Sequence, residues 1–245
     1  MILDIDAGNT RIKWRVIDGD LVIARGDTST ALVAQGDPLE IDRIDGINRI
    51  RLACVSGNQI VENLHNQLRD KFGIHLELAE VTDRAASVIC GYRDHTQLGI
   101  DRWLALVAAY AKENQAVIVV DAGSAVTVDI VGAEGIHLGG FIVPGLRLMH
   151  EVLWQSTNRI KVEAKPIVEI SEPGLSTDEA VDRGCLLLLV SMVESLAAKY
   201  QSKLIITGGD GSLLCDALNV DAELYPDLVL EGLSLEGIGL RASEG

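Results

Sequence analysis

Met1–Trp14 reads MILDIDAGNTRIKW, and Val117–Ile130 reads VIVVDAGSAVTVDI. In each, a run of aliphatic and β-branched residues ends in Asp-Ala-Gly, a small polar residue follows, and a second β-prone run begins at once. A strand that stops, turns tightly and returns is a hairpin. Two such hairpins, with Asp6 and Asp121 at their turns in a chain of 245 residues, imply two halves of related build.

Outward from these hairpins, period-two or continuous apolar runs predict strands at 1–6, 11–17, 21–26, 50–55, 74–81, 116–121, 125–131, 136–143 and 203–207. Apolar spacing of three and four predicts helices at about 58–72, 100–114, 145–156, 177–199, 211–218 and 228–242. Asp18-Gly19-Asp20 and Ala133-Glu134-Gly135 supply the next turn in each half. The expected architecture is α/β, with mixed sheets flanked by helices and halves at 1–115 and 116–245. No Pro- or Ser-rich linker separates them, and the irregular stretches are Gly91–Gly99 and 157–176, the latter with Pro166 and Pro173.

Composition narrows the partners. With 21 Lys and Arg against 36 Asp and Glu, the net charge of −15 argues against nucleic-acid binding and requires any anionic ligand to be held by a local site. The longest apolar run, Cys185 to Val193, is too short to span a bilayer, and the N-terminus lacks a signal-peptide pattern, so a cytoplasmic protein without membrane contact is expected. Cys54, Cys90, Cys185 and Cys215 have no metal-ligand spacing and read as reduced thiols. His65, His75, His95, His137 and His150 likewise show no ligand pattern.

A glycine directly after a strand lets backbone approach a ligand, and the adjacent polar residue offers an N–H and a side-chain group to phosphate oxygens. Asp6 and Asp121 each precede such a turn, where a carboxylate could hold a hydrated cation. One copy alone would be an ordinary hairpin turn; the repetition favours a phosphate site. Thr207-Gly208-Gly209-Asp210-Gly211 joins a strand to a helix and is a weaker signal for a nucleoside contact. The P-loop and dinucleotide fingerprints are absent from the sequence. Two related halves with acidic hairpin turns resemble the actin-like, ribonuclease H-like ATPase fold shared by actin, sugar kinases and heat-shock chaperones. That resemblance implies ATP gripped by one hairpin from each half.

Asp101 falls at the start of the helix predicted from residue 100, where a carboxylate also serves as a cap. Beside it stand Arg102, able to hold an anion bidentately, and Gly91 and Gly99, which admit a small ligand. Trp103 reads as core. The ordered segments DAGNTRIKW, GYRDHTQLGIDRW, DAGSAVTVD, GGFIVPGLRLM and TGGDG resemble the motifs of type III pantothenate kinases, from Met1 to about Gly211. The resemblance implies ATP-dependent phosphorylation of the primary hydroxyl of pantothenate, the first step of coenzyme A synthesis. It makes Asp101 the proton acceptor and matches Tyr92, Gly99, Ile100, Asp101 and Arg102 to pantothenate-binding positions. It makes Asp6, Ala7, Gly8, Asn9, Thr10, Arg11, Ile12 and Lys13 the phosphate loop, with Asp6 near Mg2+ through water, and Ser124 an ATP contact. Asp121 corresponds to the site of a monovalent cation, K+ or NH4+. Members are homodimers whose partner subunit supplies a Thr to the pantothenate site, and Thr177 matches that position. Lys13 reads equally as a phosphate neutraliser or a solvated hairpin lysine, and the apolar helix 177–199 as a buried central helix or a dimer seam. The alternatives are another kinase or phosphatase of the same fold, and a non-catalytic transcription-accessory protein.

Overall fold

The computed structural model describes residues 1–41, 44–156, 170 and 172–243. Chain contacts divide it into two units, Met1–Lys112 with Asp227–Gly245, and Glu113–Pro226. Most of the stretch expected to be irregular at 157–176, Pro166 included, lies outside the described residues.

The first unit begins with a meander of β1 (Ile2–Ala7), β2 (Arg11–Asp18) and β3 (Leu21–Ser29), followed by the short α1 (Thr30–Ala34). β4 (Arg49–Cys54) then pairs parallel to β1, and α2 (Asn58–Phe72) leads to β5 (Leu76–Glu80), parallel to β4. A small hairpin, β6 (Arg84–Ala85) with β7 (Val88–Ile89), precedes α3 (Ile100–Glu113). The second unit repeats the scheme. β8 (Val117–Ala122), β9 (Ala125–Val131) and β10 (His137–Pro144) form an antiparallel meander. Helices α4 (Leu146–Ser156) and α5 (Thr177–Tyr200) precede β11 (Lys203–Thr207), parallel to β8. α6 (Gly211–Ala217) then leads to β12 (Ala222–Leu224), parallel to β11. The sheet orders β3-β2-β1-β4-β5 and β10-β9-β8-β11-β12 are therefore the same, meander first and parallel strands after.

Alternation along β1 explains why its hairpin is two-faced. Leu3, Ile5 and Ala7 are fully buried on one face, packed with Ile12, Trp14, Val16, Ile50 and Leu52 against Ile60, Leu64 and Leu68 of α2. Asp4 and Asp6 point to the other. Asp4 is nonetheless fully buried, because Arg15 Nε on β2 donates to its Oδ2 at 3.1 Å and Arg51 Nε on β4 to its Oδ1 at 2.7 Å. A buried carboxylate is tolerated only when paired in this way.

The same network holds the C-terminal segment, and here the sequence expectation needs correcting. The helix expected at 228–242 and assigned to the second half is instead α7 (Leu228–Gly232) and then a strand, β13 (Gly239–Ala242), which pairs antiparallel to β5 as the outermost strand of the first sheet. Arg15 Nη2 donates to the Leu230 carbonyl at 2.8 Å, and Arg15 and Arg51 both reach Ser234 Oγ. Gly237, at φ +81°, turns the chain between helix and strand, a conformation a continuing helix excludes. In the second unit Ile118, Val120, Val126, Val128, Leu204 and Ile206 bury against Cys185, Leu186, Leu189, Val190 and Val193 of α5.

Candidate active site

The two acidic turns occupy equivalent places. Gly8 N donates to the Arg11 carbonyl at 3.0 Å, and Gly123 N to the Ala125 carbonyl at 3.2 Å. The first turn is one residue longer, since Ala7 pairs with Ile12 whereas Ala122 pairs with Val126. Asp6 is half-buried, opposite Lys13 in the register of β1 and β2, so the two side chains share a sheet face. Asn9, Thr10 and Arg11 are exposed, Arg11 paired with Asp27, while Ala7 and Ile12 are core. Residues 6–13 thus combine an exposed turn with a carboxylate and an ammonium group on one face of the strands behind it.

Thr207–Gly211, the weaker signal in the sequence, packs onto the second turn. Asp210 N donates to the Ala122 carbonyl at 2.9 Å, and Thr207 is the register partner of Asp121. A Cβ on Gly208 would stand 2.5 Å from both Asp121 Oδ1 and the Ala122 carbonyl oxygen, so only glycine lets this backbone pass. Gly145 N donates to the Ser124 carbonyl at 3.0 Å, and a Cβ there would stand 2.2 Å from the Gly123 carbonyl oxygen. Asp121, Gly123 and Ser124 are all partly accessible. Burial pushes the Asp210 carboxyl above its usual range, opposed by the charge of Arg147 on α4.

Gly91–Arg102 gathers the substrate residues that the motif predicts, Thr177 apart. Asp94 caps a single 3-10 turn at His95–Gln97, and its carboxyl is held below the usual range by hydrogen bonds from the Thr96 side chain and backbone. Leu98 and Ile100 are buried and fix the loop to the core. Asp101 lies in the first turn of α3, its Oδ1 accepting from Arg102 N at 2.8 Å; a Cβ on Gly99 would come within 2.5 Å of that oxygen. Arg102 is 7% exposed, donates from Nη1 to Tyr92 Oη at 2.9 Å and lies 5.6 Å from the tyrosine ring centre. A buried guanidinium held by a phenol is a fixed anion donor, with a half-buried carboxylate one residue away in sequence. Trp103 is fully buried, as expected.

Thr177 is exposed at the first position of α5, behind an N-cap in which Ser176 Oγ accepts from Glu179 N at 3.2 Å. Leu187 and Leu188 on α5, and Val152 and Leu153 on α4, are exposed as well. The cysteines are all unpaired. Among the described residues no cluster of three His, Cys, Asp or Glu could hold a metal, and no helix is long and apolar enough to cross a membrane. Thr30, Ser56, Gly145 and Arg147 carry no site reading in the sequence, and Gly208 only the weaker one of a nucleoside contact. For Gly145, Gly208 and Arg147 the signal was present in GGFIVPGLRLM and TGGDG.

A family model described as type III pantothenate kinase matches residues 2–199. A curated type III pantothenate kinase of Ectopseudomonas mendocina is 40% identical over 248 residues, covering 96% of this chain and 98% of the relative. Among solved structures, a Baf family protein of Campylobacter jejuni superimposes with a TM-score of 0.63 at 24% identity, covering 94% of each chain. MreB 5 of Spiroplasma citri, bound to AMPPNP, does so with a TM-score of 0.51 at 13% identity, again over 94% of each. The fold is that of the actin-like and sugar-kinase ATPases.

Proposed function

From the premise that the chain belongs to the type III pantothenate kinases, we propose how its own residues perform that family's reaction. The enzyme transfers a phosphoryl group from ATP to pantothenate, giving 4'-phosphopantothenate at the start of coenzyme A synthesis. Phosphoryl transfer passes through a loose transition state, so positioning and charge neutralisation outweigh bond-making by the protein.

On this reading Asp101 orients the primary hydroxyl of pantothenate and takes its proton as the new O–P bond forms. Arg102, with Gly99, Ile100 and Tyr92, binds pantothenate. The hydrogen bond from Arg102 to Tyr92 at 2.9 Å is the observation that carries the assignment, because it fixes an anion donor beside the acceptor-activating carboxylate. Asp6 through Lys13 bind the ATP phosphates. A magnesium ion needs only one or two carboxylates when waters and phosphates complete its shell, a donor set that the single half-buried Asp6 fits. Such an ion supplies charge neutralisation to the phosphates; Lys13 shares that face and adds a fixed positive charge.

Asp121 is the ligand we assign to a monovalent cation, K+ or NH4+, with Ser124 contacting ATP. The tight packing of Gly208 against Asp121 supports a carboxylate held in one position. We further infer a homodimer, in which the exposed Thr177 completes the pantothenate site of the partner subunit. The exposed Leu187 and Leu188 of α5 suit such a seam. The unpaired cysteines suit the reducing cytoplasm.

The test is a coupled assay of ADP release with Mg-ATP and pantothenate, in sodium alone and then with potassium or ammonium. Pantothenate-dependent release that requires potassium or ammonium supports both the reaction and the cation site. Equal release in sodium removes the cation role of Asp121, and no release in any salt from folded protein sinks the catalytic reading.

A further inference from the structure

The first acidic turn is gripped from behind by two hydroxyls outside residues 6–13. Thr30, which opens α1 and is 5% exposed, donates from Oγ1 to the Gly8 carbonyl at 2.7 Å. Ser56, just after β4, has its Oγ 2.9 Å from the same oxygen and 2.7 Å from the Ala7 carbonyl. Backbone bonds reinforce the grip, from Thr30 N to the Thr10 carbonyl and from Val55 N to the Ala7 carbonyl, each at 3.1 Å.

A trans peptide places its C=O and N–H on opposite sides, and no cis peptide occurs among the described residues. With the Gly8 carbonyl drawn toward Thr30 and Ser56, the Asn9 N–H faces the opposite way. Asn9, Thr10 and Arg11 are the exposed part of the turn.

The second turn shows that the fold itself does not require the hydroxyls. There Gly145 N and Asp210 N make the matching bonds to the Ser124 and Ala122 carbonyls, at 3.0 and 2.9 Å. The two residues whose N–H groups make these bonds, Gly145 and Asp210, carry no hydroxyl. Where the second turn is held by Gly145 N and Asp210 N, the first is held by the same two backbone bonds and by the Thr30 and Ser56 hydroxyls in addition.

We propose that Thr30 and Ser56 are positioning residues whose hydroxyls, by holding the Gly8 carbonyl, aim the Asn9 amide at the phosphate oxygens of the nucleotide, without touching it themselves. This rests on the reading of residues 6–13 as the phosphate loop. The variants are Thr30→Val, Ser56→Ala, their combination, and Thr30→Ser, which keeps the hydroxyl. Each single loss is expected to raise KM for Mg-ATP about fivefold, the effect of one neutral hydrogen bond, and the double loss more. KM for pantothenate stays within about twofold, and Thr30→Ser behaves as wild type. Melting temperatures establish that each variant is folded, and the single variants carry the comparison if the double one is not. Unchanged KM for Mg-ATP, or an equal rise in both KM values, overturns the proposal. Asp6→Asn separates the two layers. If it disturbs Mg-ATP saturation while the hydroxyl variants do not, the positioning role falls alone; if it too has no effect, the phosphate-loop reading falls and takes the proposal with it.

Discussion

Gly208→Ala is the substitution whose cost the structure specifies most fully. Gly208 sits at φ +94°, where a side chain costs about 1 kcal/mol. The added Cβ would stand 2.5 Å from the Ala122 carbonyl oxygen, against an ordinary contact of 3.4 Å or more, so one of them must retreat by roughly 0.9 Å. Ala122 is the last residue of β8, a strand bonded on both sides to β9 and β11, and cannot move alone. Overpacking against such a wall costs about 1–3 kcal/mol, for a total of roughly 2–4 kcal/mol. In a chain of this size that lowers the melting temperature by about 5–15 °C. Gly209→Ala is the control, since a Cβ there meets nothing within 4 Å and its φ is not positive; its expected effect is below about 0.5 kcal/mol. The Cβ at position 208 would also stand 2.5 Å from Asp121 Oδ1, so on the cation site proposed for Asp121, Gly208→Ala should raise the potassium concentration for half-activation while KM for pantothenate changes little. Scanning calorimetry and then a potassium titration measure both. If Gly208→Ala melts with Gly209→Ala, within about 2 °C of wild type, the close-packing argument is refuted.

Asp101→Asn should lower kcat by about a hundredfold or more through lost orientation and proton acceptance, and near-normal turnover in single-turnover kinetics would remove Asp101 from the mechanism. Tyr92→Phe leaves the buried Arg102 guanidinium without its 2.9 Å acceptor; KM for pantothenate should rise about five- to tenfold, with Mg-ATP saturation unchanged. Asp4→Ala strands two buried guanidinium groups and should cost about 3–5 kcal/mol in urea unfolding. Asp27→Ala, which breaks the exposed pair with Arg11, should cost at most about 1 kcal/mol; similar losses would contradict the burial argument. Burial, with the charges of Arg69 and His75, holds the His65 imidazole below its ordinary range. The unfolded chain therefore takes up its proton first as pH falls, so stability is complete above the ordinary imidazole value of about 6.5 and declines below it toward the lowered folded value. His65→Leu should flatten that decline in melting temperature, and an unchanged slope would acquit His65.

The hairpins were legible because their signals are local. Alternation along Leu3, Asp4, Ile5, Asp6 and Ala7 and the glycine after it fix strand, face and turn without reference to the rest of the chain. α2 and α3 were likewise written in their own apolar spacing, and α5 in its continuous apolar run. The C-terminal segment was misread for a tertiary reason. Leu228, Val229, Leu230, Leu233 and Ile238 carry helical spacing, and all are buried, but Gly237 reverses the chain and the open edge of β5 recruits Gly239–Ala242 as a strand. Thr30 and Ser56 were invisible for the same reason, since each meets the Gly8 turn only through the fold. Arg102 and Tyr92 could be named from a motif, but not their hydrogen bond.

Charge gives the remaining step. A protein of net charge −15 that binds a polyphosphate must assemble positive charge locally. Register supplies it: Lys13 stands opposite Asp6, and Arg15 and Arg51 stand opposite Asp4, all on one face of β1 and its neighbours. The two buried guanidinium groups outnumber the one carboxylate they share, leaving a positive remainder immediately behind the first turn. Their attachment to the Leu230 carbonyl and Ser234 means that the segment completing the first sheet also completes this cluster. Buried charges are screened far less by salt than the acidic surface is. The return of the chain to its first unit is therefore an electrostatic arrangement as much as a topological one: it fixes the cations that offset an otherwise repulsive protein at the turn assigned to the phosphates.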